Sequence, residues 1–217
     1  MSASVTSRRT PASSGTDVSA SRYDPRTPED DAFDAIYDRR IRGLSLRHWT
    51  PVVVAARASA MLVEAGATRI LDVGSGVGKF CLVGATRTNA EYVGVEVRED
   101  LVLVARDTAR TLGASRATFI HADVANLPFH GFDGVFLYNP FFEHVSRRLR
   151  PIDRTIERSR ATYQRLVATT VEKLAELSPP GVIVTFSGFG GRVPPDAFEF
   201  LGEEAAGNDG LERWVKR

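Results

Sequence analysis

Residues 70–78 read Ile70-Leu71-Asp72-Val73-Gly74-Ser75-Gly76-Val77-Gly78, and a second apolar run, Tyr92-Val93-Gly94-Val95, ends in Glu96. An apolar run followed by glycines at alternate positions describes a buried strand, a turn in which the backbone approaches a ligand closely, and a helix start. This is the pattern of a nucleotide-type cofactor site, and its spacing restricts the cofactor. A dinucleotide fingerprint, Gly-x-Gly-x-x-Gly, begun on Gly74 and Gly76 needs its third glycine at position 79, which is Lys79. The third glycine is instead Gly78, giving Asp-x-Gly-x-Gly-x-Gly.

Strands and helices alternate outward from this stretch. The pattern predicts strands over Arg69–Val73, Tyr92–Val95, Ala117–His121, Phe132–Tyr138 and Val182–Phe186, with helices over Lys79–Thr86, Asp100–Leu112 and Tyr163–Leu177. Alternation of this kind predicts an α/β fold, a doubly wound and mostly parallel sheet with helices on both faces. Two runs, Glu199–Glu203 and Leu211–Val215, flank Ala206-Gly207-Asn208-Asp209-Gly210 and predict a C-terminal antiparallel hairpin, which brings the sheet to seven strands. Upstream, Glu29, Asp30, Asp31 and Asp34 lead into a short helix at Ala35-Ile36-Tyr37. Thr50 is expected to cap a helix with Pro51 at its first position, ended by Gly66. Residues 1–25, rich in Ser, Thr, Ala and Pro, bury too little apolar surface to offset their ordering entropy and are expected to be a disordered tail. The expected organisation is this tail, an N-terminal helical segment over 26–66 that covers the cofactor site, and a main domain over 67–217.

With 217 residues, 43% hydrophobic and 25% charged, the chain has the composition of one globular domain with a sizeable core. A net charge of +1 supplies no global drive toward nucleic acid or membrane, so any electrostatic preference is local. Cys81 is the only cysteine, which excludes an intrachain disulfide and suits a reducing compartment. No apolar stretch reaches membrane-spanning length and the N-terminus lacks a signal-peptide core, so a cytoplasmic location is expected. Four histidines without ligand-like spacing to acids or to the cysteine give no metal site.

In an open parallel sheet the ligand sits beyond the carboxyl ends of the strands, where this chain places Asp72–Gly78, Glu96, Asp123 and Asn139. Glu96 lies 18 positions past Gly78, the span of one helix and one strand, and a carboxylate there can accept both hydroxyls of a ribose. A solvated strand-end acid is the plainer alternative. The glycine motif and these acids resemble the class I, seven-stranded S-adenosylmethionine-dependent methyltransferases. That resemblance implies S-adenosylmethionine as cofactor, bound by Asp72, Gly74, Ser75, Gly76, Gly78, Glu96, Asp123 and Val124, with Thr50 on the segment that closes over it. Asp123 would accept from the adenine amino group; a turn or cap role is its alternative. Asp72 would orient the glycine loop or approach the cationic amino-acid end, and its alternative is to bind amides of its own turn.

The run Asp133-Gly134-Val135-Phe136-Leu137-Tyr138-Asn139-Pro140-Phe141-Phe142-Glu143-His144 ends a strand in Asn-Pro-aromatic-aromatic. It is similar to motif IV of the amino-group methyltransferases, Asn/Asp-Pro-Pro-Tyr/Phe. There the Asn oxygen and a neighbouring carbonyl accept from the target amine while the ring packs on the substrate. The resemblance therefore names Asn139, Pro140, Phe141 and Phe142 as the catalytic group. Phe141 stands where the motif has a second proline, which loosens any assignment to nucleic-acid or glutamine-type substrates. A strand-terminating turn with both rings in the core is the structural alternative.

His144 is either a general base or a solvated helix-start residue. Lys79 and Phe80 read as helix surface and core, Cys81 as a small buried hydrophobe. Arg39, Arg40, Arg42 and Arg47 precede Trp49, while Arg147, Arg148, Arg150, Arg154, Arg158, Arg160 and Arg165 follow the second motif. Both clusters should border one face of the sheet, as a basic rim for an anionic partner or as solvated helix faces. The sequence thus predicts an S-adenosylmethionine-dependent methyltransferase acting on an amino group of a protein side chain or small molecule. An O-methyltransferase using His144, and a non-catalytic cofactor-binding partner subunit, are the competing readings. A sequence-specific DNA methyltransferase is disfavoured because no room is left for a target-recognition domain.

Overall fold

The computed structural model describes residues 27–45, 49–146, 152–153, 156–206 and 209–217. Six helices, α1 (Pro28–Asp34), α2 (Arg39–Arg42), α3 (Val52–Glu64), α4 (Lys79–Arg87), α5 (Glu99–Leu112) and α6 (Arg160–Leu174), accompany seven strands among these residues. The strands are β1 (Arg69–Val73), β2 (Glu91–Glu96), β3 (Ala117–His121), β4 (Gly134–Leu137), β5 (Val182–Phe186), β6 (Phe198–Ala206) and β7 (Asp209–Lys216). They form one sheet in the order β3-β2-β1-β4-β5-β7-β6, in which β7 alone runs against the others. The predicted doubly wound sheet and C-terminal hairpin are both present. The chain reverses its strand order between β1 and β4, so the crevice for a ligand opens at the ends of β1, β2 and β4.

Alternation along the central strands splits the core into two layers. Ile70, Tyr92, Phe136 and Val184 face α3 and α4, with Phe80 stacked on Phe136 at 4.0 Å between centroids. Leu71, Val93, Val135 and Ile183 face α6 through Leu166 and Leu174. By the same period of two, Asp72 falls on the α4 side, and its register partners Gly94 and Phe136 offer it no charge. A third cluster, Tyr37, Ile41, Trp49, Val77 and Leu101, joins the N-terminal segment to the glycine loop, and Ile152 packs against it.

Several boundaries differ from the sequence reading for local reasons. The first helix is the acidic run Pro28–Asp34 itself, started by a capping box between Thr27 and Asp30, and not Ala35-Ile36-Tyr37. Thr50 does not cap α3: Pro51 holds the cap position without a side-chain bond, and Asp30 Oδ1 accepts the Val52 N–H at 2.9 Å instead. The β4 pairing starts at Gly134 because the Asp133 carboxylate turns back to accept the N–H groups of Thr68 and Arg69. It stops before Tyr138 because Asn139 takes a left-handed φ of 40°. Ser159 caps α6 by accepting the Thr162 N–H at 3.0 Å, which moves that helix three residues toward the N-terminus. The 1–25 tail, His48, Arg47, Arg147, Arg148, Arg150, Arg154 and the tip residues Gly207 and Asn208 lie outside the described residues. No helix among the described residues is long and apolar enough to cross a membrane.

Candidate active site

The glycine loop leaves β1 with Gly74, Gly76 and Gly78 at φ values of 73°, 55° and 81°, which only glycine adopts without strain. The amides of Gly74 and Ser75 donate to the Val95 carbonyl at 2.9 and 3.0 Å, pinning the loop across the end of β2. Each glycine has its own use. A Cβ on Gly76 would meet nothing within 4 Å, so that face of the loop is open to a ligand. On Gly74 it would touch Pro140 at 3.0 Å, which is how the loop and the Asn139-Pro140 turn come together. On Gly78 it would collide with the Phe119 ring, so this glycine serves helix packing.

Two recesses meet at Gly74. The larger, about 230 Å³, is lined by Glu96, Val97, Asp123, Val124, Pro140 and Phe141, with Thr162 and Arg165 of α6 on its far wall. The smaller, about 30 Å³, lies among Trp49, Thr50, Asp72, Ser75, Lys79 and Tyr138. Glu96 is buried, with Oε2 accepting the Gly76 N–H at 3.0 Å and Oε1 accepting both the backbone N–H and Nη1 of Arg98 at 3.0 Å. Asp123 caps the short 3₁₀ turn Val124–Asn126 by accepting the Ala125 N–H at 2.9 Å with Oδ1. Asp72 has a thiol donor in Cys81 at 3.5 Å, and burial, together with the nearby Glu96 charge, pushes its carboxyl up to about 7. Ser75 Oγ is buried without a hydrogen-bond partner among the described residues.

The Asn139 backbone N–H is committed to the Gly188 carbonyl at 2.9 Å, and its own carbonyl accepts the Phe142 N–H at 3.1 Å. Its side-chain amide has no hydrogen-bond partner among the described residues. The chain leaves β5 through Ser187, also at positive φ (55°), so the ends of two neighbouring central strands both hold non-glycine residues in left-handed backbone. Pro140 and Phe141 line the larger recess; Phe141 is buried in the α6 layer and Phe142 is half-buried. His144 lines that recess too, with Nδ1 2.8 Å from the Glu157 carbonyl.

Sequence reasoning missed Lys79 and Arg98. Lys79 is 3% exposed and bonds Asp30 and Asp34 at 2.7 and 2.9 Å, with Phe33 and Trp49 rings within 6 Å of its Nζ. Ser45 donates to Asp34 as well. Burial raises the Asp30 carboxyl, but the bonds and charge of Lys79 and the Val52 N–H outweigh it and hold it below its ordinary value. One ammonium therefore joins α1, α4 and the start of α3, and seats Trp49 and Thr50 over the smaller recess. The only available signal was the i, i+4 spacing of Asp30 and Asp34 beside a lysine in an otherwise apolar helix turn. Of the arginines, Arg165 reaches the larger recess, Arg158 donates to the Glu143 carbonyl at 2.7 Å, and Arg40 lies 3.8 Å from Asp100 in an exposed pair.

Residues 70–160 match a family model described as a methyltransferase domain. This stretch of the chain is a methyltransferase domain. No curated protein matches it. Among solved structures it is similar to an RNA methyltransferase from Salinibacter ruber in complex with S-adenosyl-L-homocysteine, at 24% identity and TM-score 0.51 over 74% of this chain and 90% of that one. It is similar to TrmN from Thermus thermophilus at 20% identity and TM-score 0.55, covering 82% of this chain and 53% of that one. The PH0226 protein from Pyrococcus horikoshii aligns at 17% identity and TM-score 0.56 over 84% and 93% of the two chains. At these identities the structures support the methyltransferase fold. The methyl donor of the class is S-adenosylmethionine, an elongated molecule with a ribose and purine at one end and a cationic amino acid at the other. Two recesses meeting at an open glycine loop, one lined by the buried Glu96 carboxylate and one by the buried Asp72 carboxyl, fit such a molecule.

Proposed function

We propose that this methyltransferase N-methylates an amino group of a protein side chain or a small molecule. S-Adenosylmethionine supplies an already activated methyl group. The work of the protein is therefore to align the nucleophile and to exclude water. Glu96 would hold the ribose hydroxyls, Asp123 and Val124 the purine, and Asp72 with Thr50 the amino-acid end.

The observation that carries the amine reading is Asn139. Its backbone is pinned on both sides, Pro140 beside it packs against Gly74, and its side-chain amide has no hydrogen-bond partner among the described residues. With the backbone held, the amide oxygen is available to accept from an NH₂ group and orient the nitrogen lone pair. His144, the base in a hydroxyl-directed reading, is tethered through Nδ1 to the Glu157 carbonyl and lies in the wall of the larger recess. The acceptor is identified by incubating a lysate with the protein and methyl-labelled cofactor and finding by mass spectrometry which species gains label. On that acceptor, Asn139→Ala should lower turnover by about 10² or more with cofactor affinity within a few fold, and His144→Ala should be mild. A severe His144 defect with Asn139→Ala near normal transfers the enzyme to hydroxyl chemistry.

A further inference from the structure

Arg98 stands two residues past Glu96, and its side chain is the joint between the strand-end acid and the acceptor turn. Nη1 donates to Glu96 Oε1 at 3.0 Å, where the Arg98 backbone N–H converges at the same distance. Nη2 pairs with Glu143, three residues past Pro140, and the other oxygen of Glu143 accepts the Ile152 N–H at 3.0 Å. Gly76 N–H holds the remaining oxygen of Glu96. The side chains of Glu96, Arg98 and Glu143 are 3%, 12% and 12% exposed, so one guanidinium compensates two nearly buried carboxylates. Arg98 Nε is buried with no partner among the described residues and belongs to the wall of the larger recess.

A carboxylate has two lone pairs on each oxygen. Protein donors engage both oxygens of Glu96, Gly76 on Oε2 and the backbone N–H and Nη1 of Arg98 on Oε1, which fixes the plane of the group and leaves its remaining acceptor site on Oε2. A ribose hydroxyl needs such an acceptor, one that is stationary before the ligand arrives. An unheld glutamate would lose rotamer freedom each time a ligand bound, and its charge would face Glu143 without a cation between them.

We propose that Arg98 is a positioning residue for the cofactor, fixing the Glu96 carboxylate so that Oε2 receives the ribose diol and tying that carboxylate to Glu143 beside the acceptor turn. The inference rests on the ribose role assigned to Glu96 above. A purely structural arginine would affect every ligand alike, whereas a residue acting through Glu96 affects only ligands that carry the diol.

The test is calorimetry on the full chain with S-adenosylhomocysteine and its 2′,3′-dideoxy counterpart, using wild type, Arg98→Met, Arg98→Lys and Arg98→Met/Glu143→Gln. In wild type, removing the diol should cost about tenfold or more in affinity. Arg98→Met should weaken S-adenosylhomocysteine by a similar factor, of order tenfold, and the dideoxy ligand by less than about threefold. Arg98→Lys, which keeps a cation but not the fork, should fall between, and Glu143→Gln should recover part of the Arg98→Met loss by removing an uncompensated charge. An equal loss for both ligands in Arg98→Met and Arg98→Lys overturns the positioning role while leaving the cofactor reading intact. A wild-type protein without affinity for S-adenosylhomocysteine overturns both.

Discussion

The two halves of the cleft are built by different means. The larger recess takes Glu96, Asp123 and Val124 from strand ends: Glu96 ends β2, and Asp123 and Val124 follow β3. Sheet topology alone brings them to one edge. The smaller recess is walled by Trp49 and Thr50, which reach it because Lys79, on the first turn of α4, binds Asp30 and Asp34, 49 and 45 residues earlier in the chain. One half is positioned by backbone hydrogen bonding in a rigid sheet, the other by a buried ion cluster that closes a long loop. The second half should therefore depend far more on single side chains.

Removing the ammonium is the most severe way to test that difference. Lys79→Met leaves two carboxylates buried without a cation and should cost about 3–5 kcal/mol in stability, read as a shift in the urea midpoint. Adding Asp30→Asn and Asp34→Asn should return most of it. An unchanged midpoint in Lys79→Met would remove the electrostatic basis of the contrast. Next in size is a pH effect in the same recess. Asp72 holds its proton to about 7 in the fold against an ordinary value of 3.8. The folded state thus binds more protons than the unfolded chain between those values, so this contribution to stability is full at low pH and is lost as pH rises through 7. The total is up to about 4 kcal/mol. Asp72→Asn should flatten that decline between pH 5 and pH 8, and identical slopes in the two proteins would refute it. A cationic ligand end beside Asp72 favours the ionised carboxylate, so cofactor binding should strengthen over the same pH range.

What was legible in the sequence follows the same division. Periodicity and glycine spacing located the strand ends, and with them Glu96, Asp123 and Asn139, because those positions depend on local backbone structure. Thr50 lines the smaller recess but does not hold the capping role expected of it. The bond that starts α3 comes from Asp30, through space, and a sequence window around Thr50 does not contain it. Lys79 read as helix surface for the same reason: its partners lie in another element. Gly78 matched the motif, yet its lack of a Cβ is required by the Phe119 ring, a packing demand invisible in the glycine spacing.

On the nucleoside side the expected effects are smaller and confined to ligand binding. Glu96→Ala should weaken S-adenosylhomocysteine by about 1–3 kcal/mol through lost charge-assisted bonds, with a smaller change in stability because Arg98 keeps Glu143 as partner. Unchanged affinity would take Glu96 out of the site, and a stability loss as large as that of Lys79→Met would erase the contrast between the halves.

The smallest effect, and the one that separates two roles of a single residue, belongs to Asp123. Its Oδ1 accepts the Ala125 N–H and so caps the turn Val124–Asn126, while the same side chain lines the larger recess where the purine would lie. Asparagine caps as well as aspartate, so Asp123→Asn should leave stability within about 0.5 kcal/mol of wild type, whereas Asp123→Ala should cost about 1 kcal/mol. The two variants diverge in the opposite sense toward the ligand. If the carboxylate accepts from the adenine amino group, Asp123→Asn replaces an ionised acceptor with a neutral amide and should weaken S-adenosylhomocysteine by about threefold to tenfold despite intact folding. If Asp123 is only a cap, asparagine restores affinity together with stability, and Glu96 is the strand-end carboxylate left to the ligand in the larger recess.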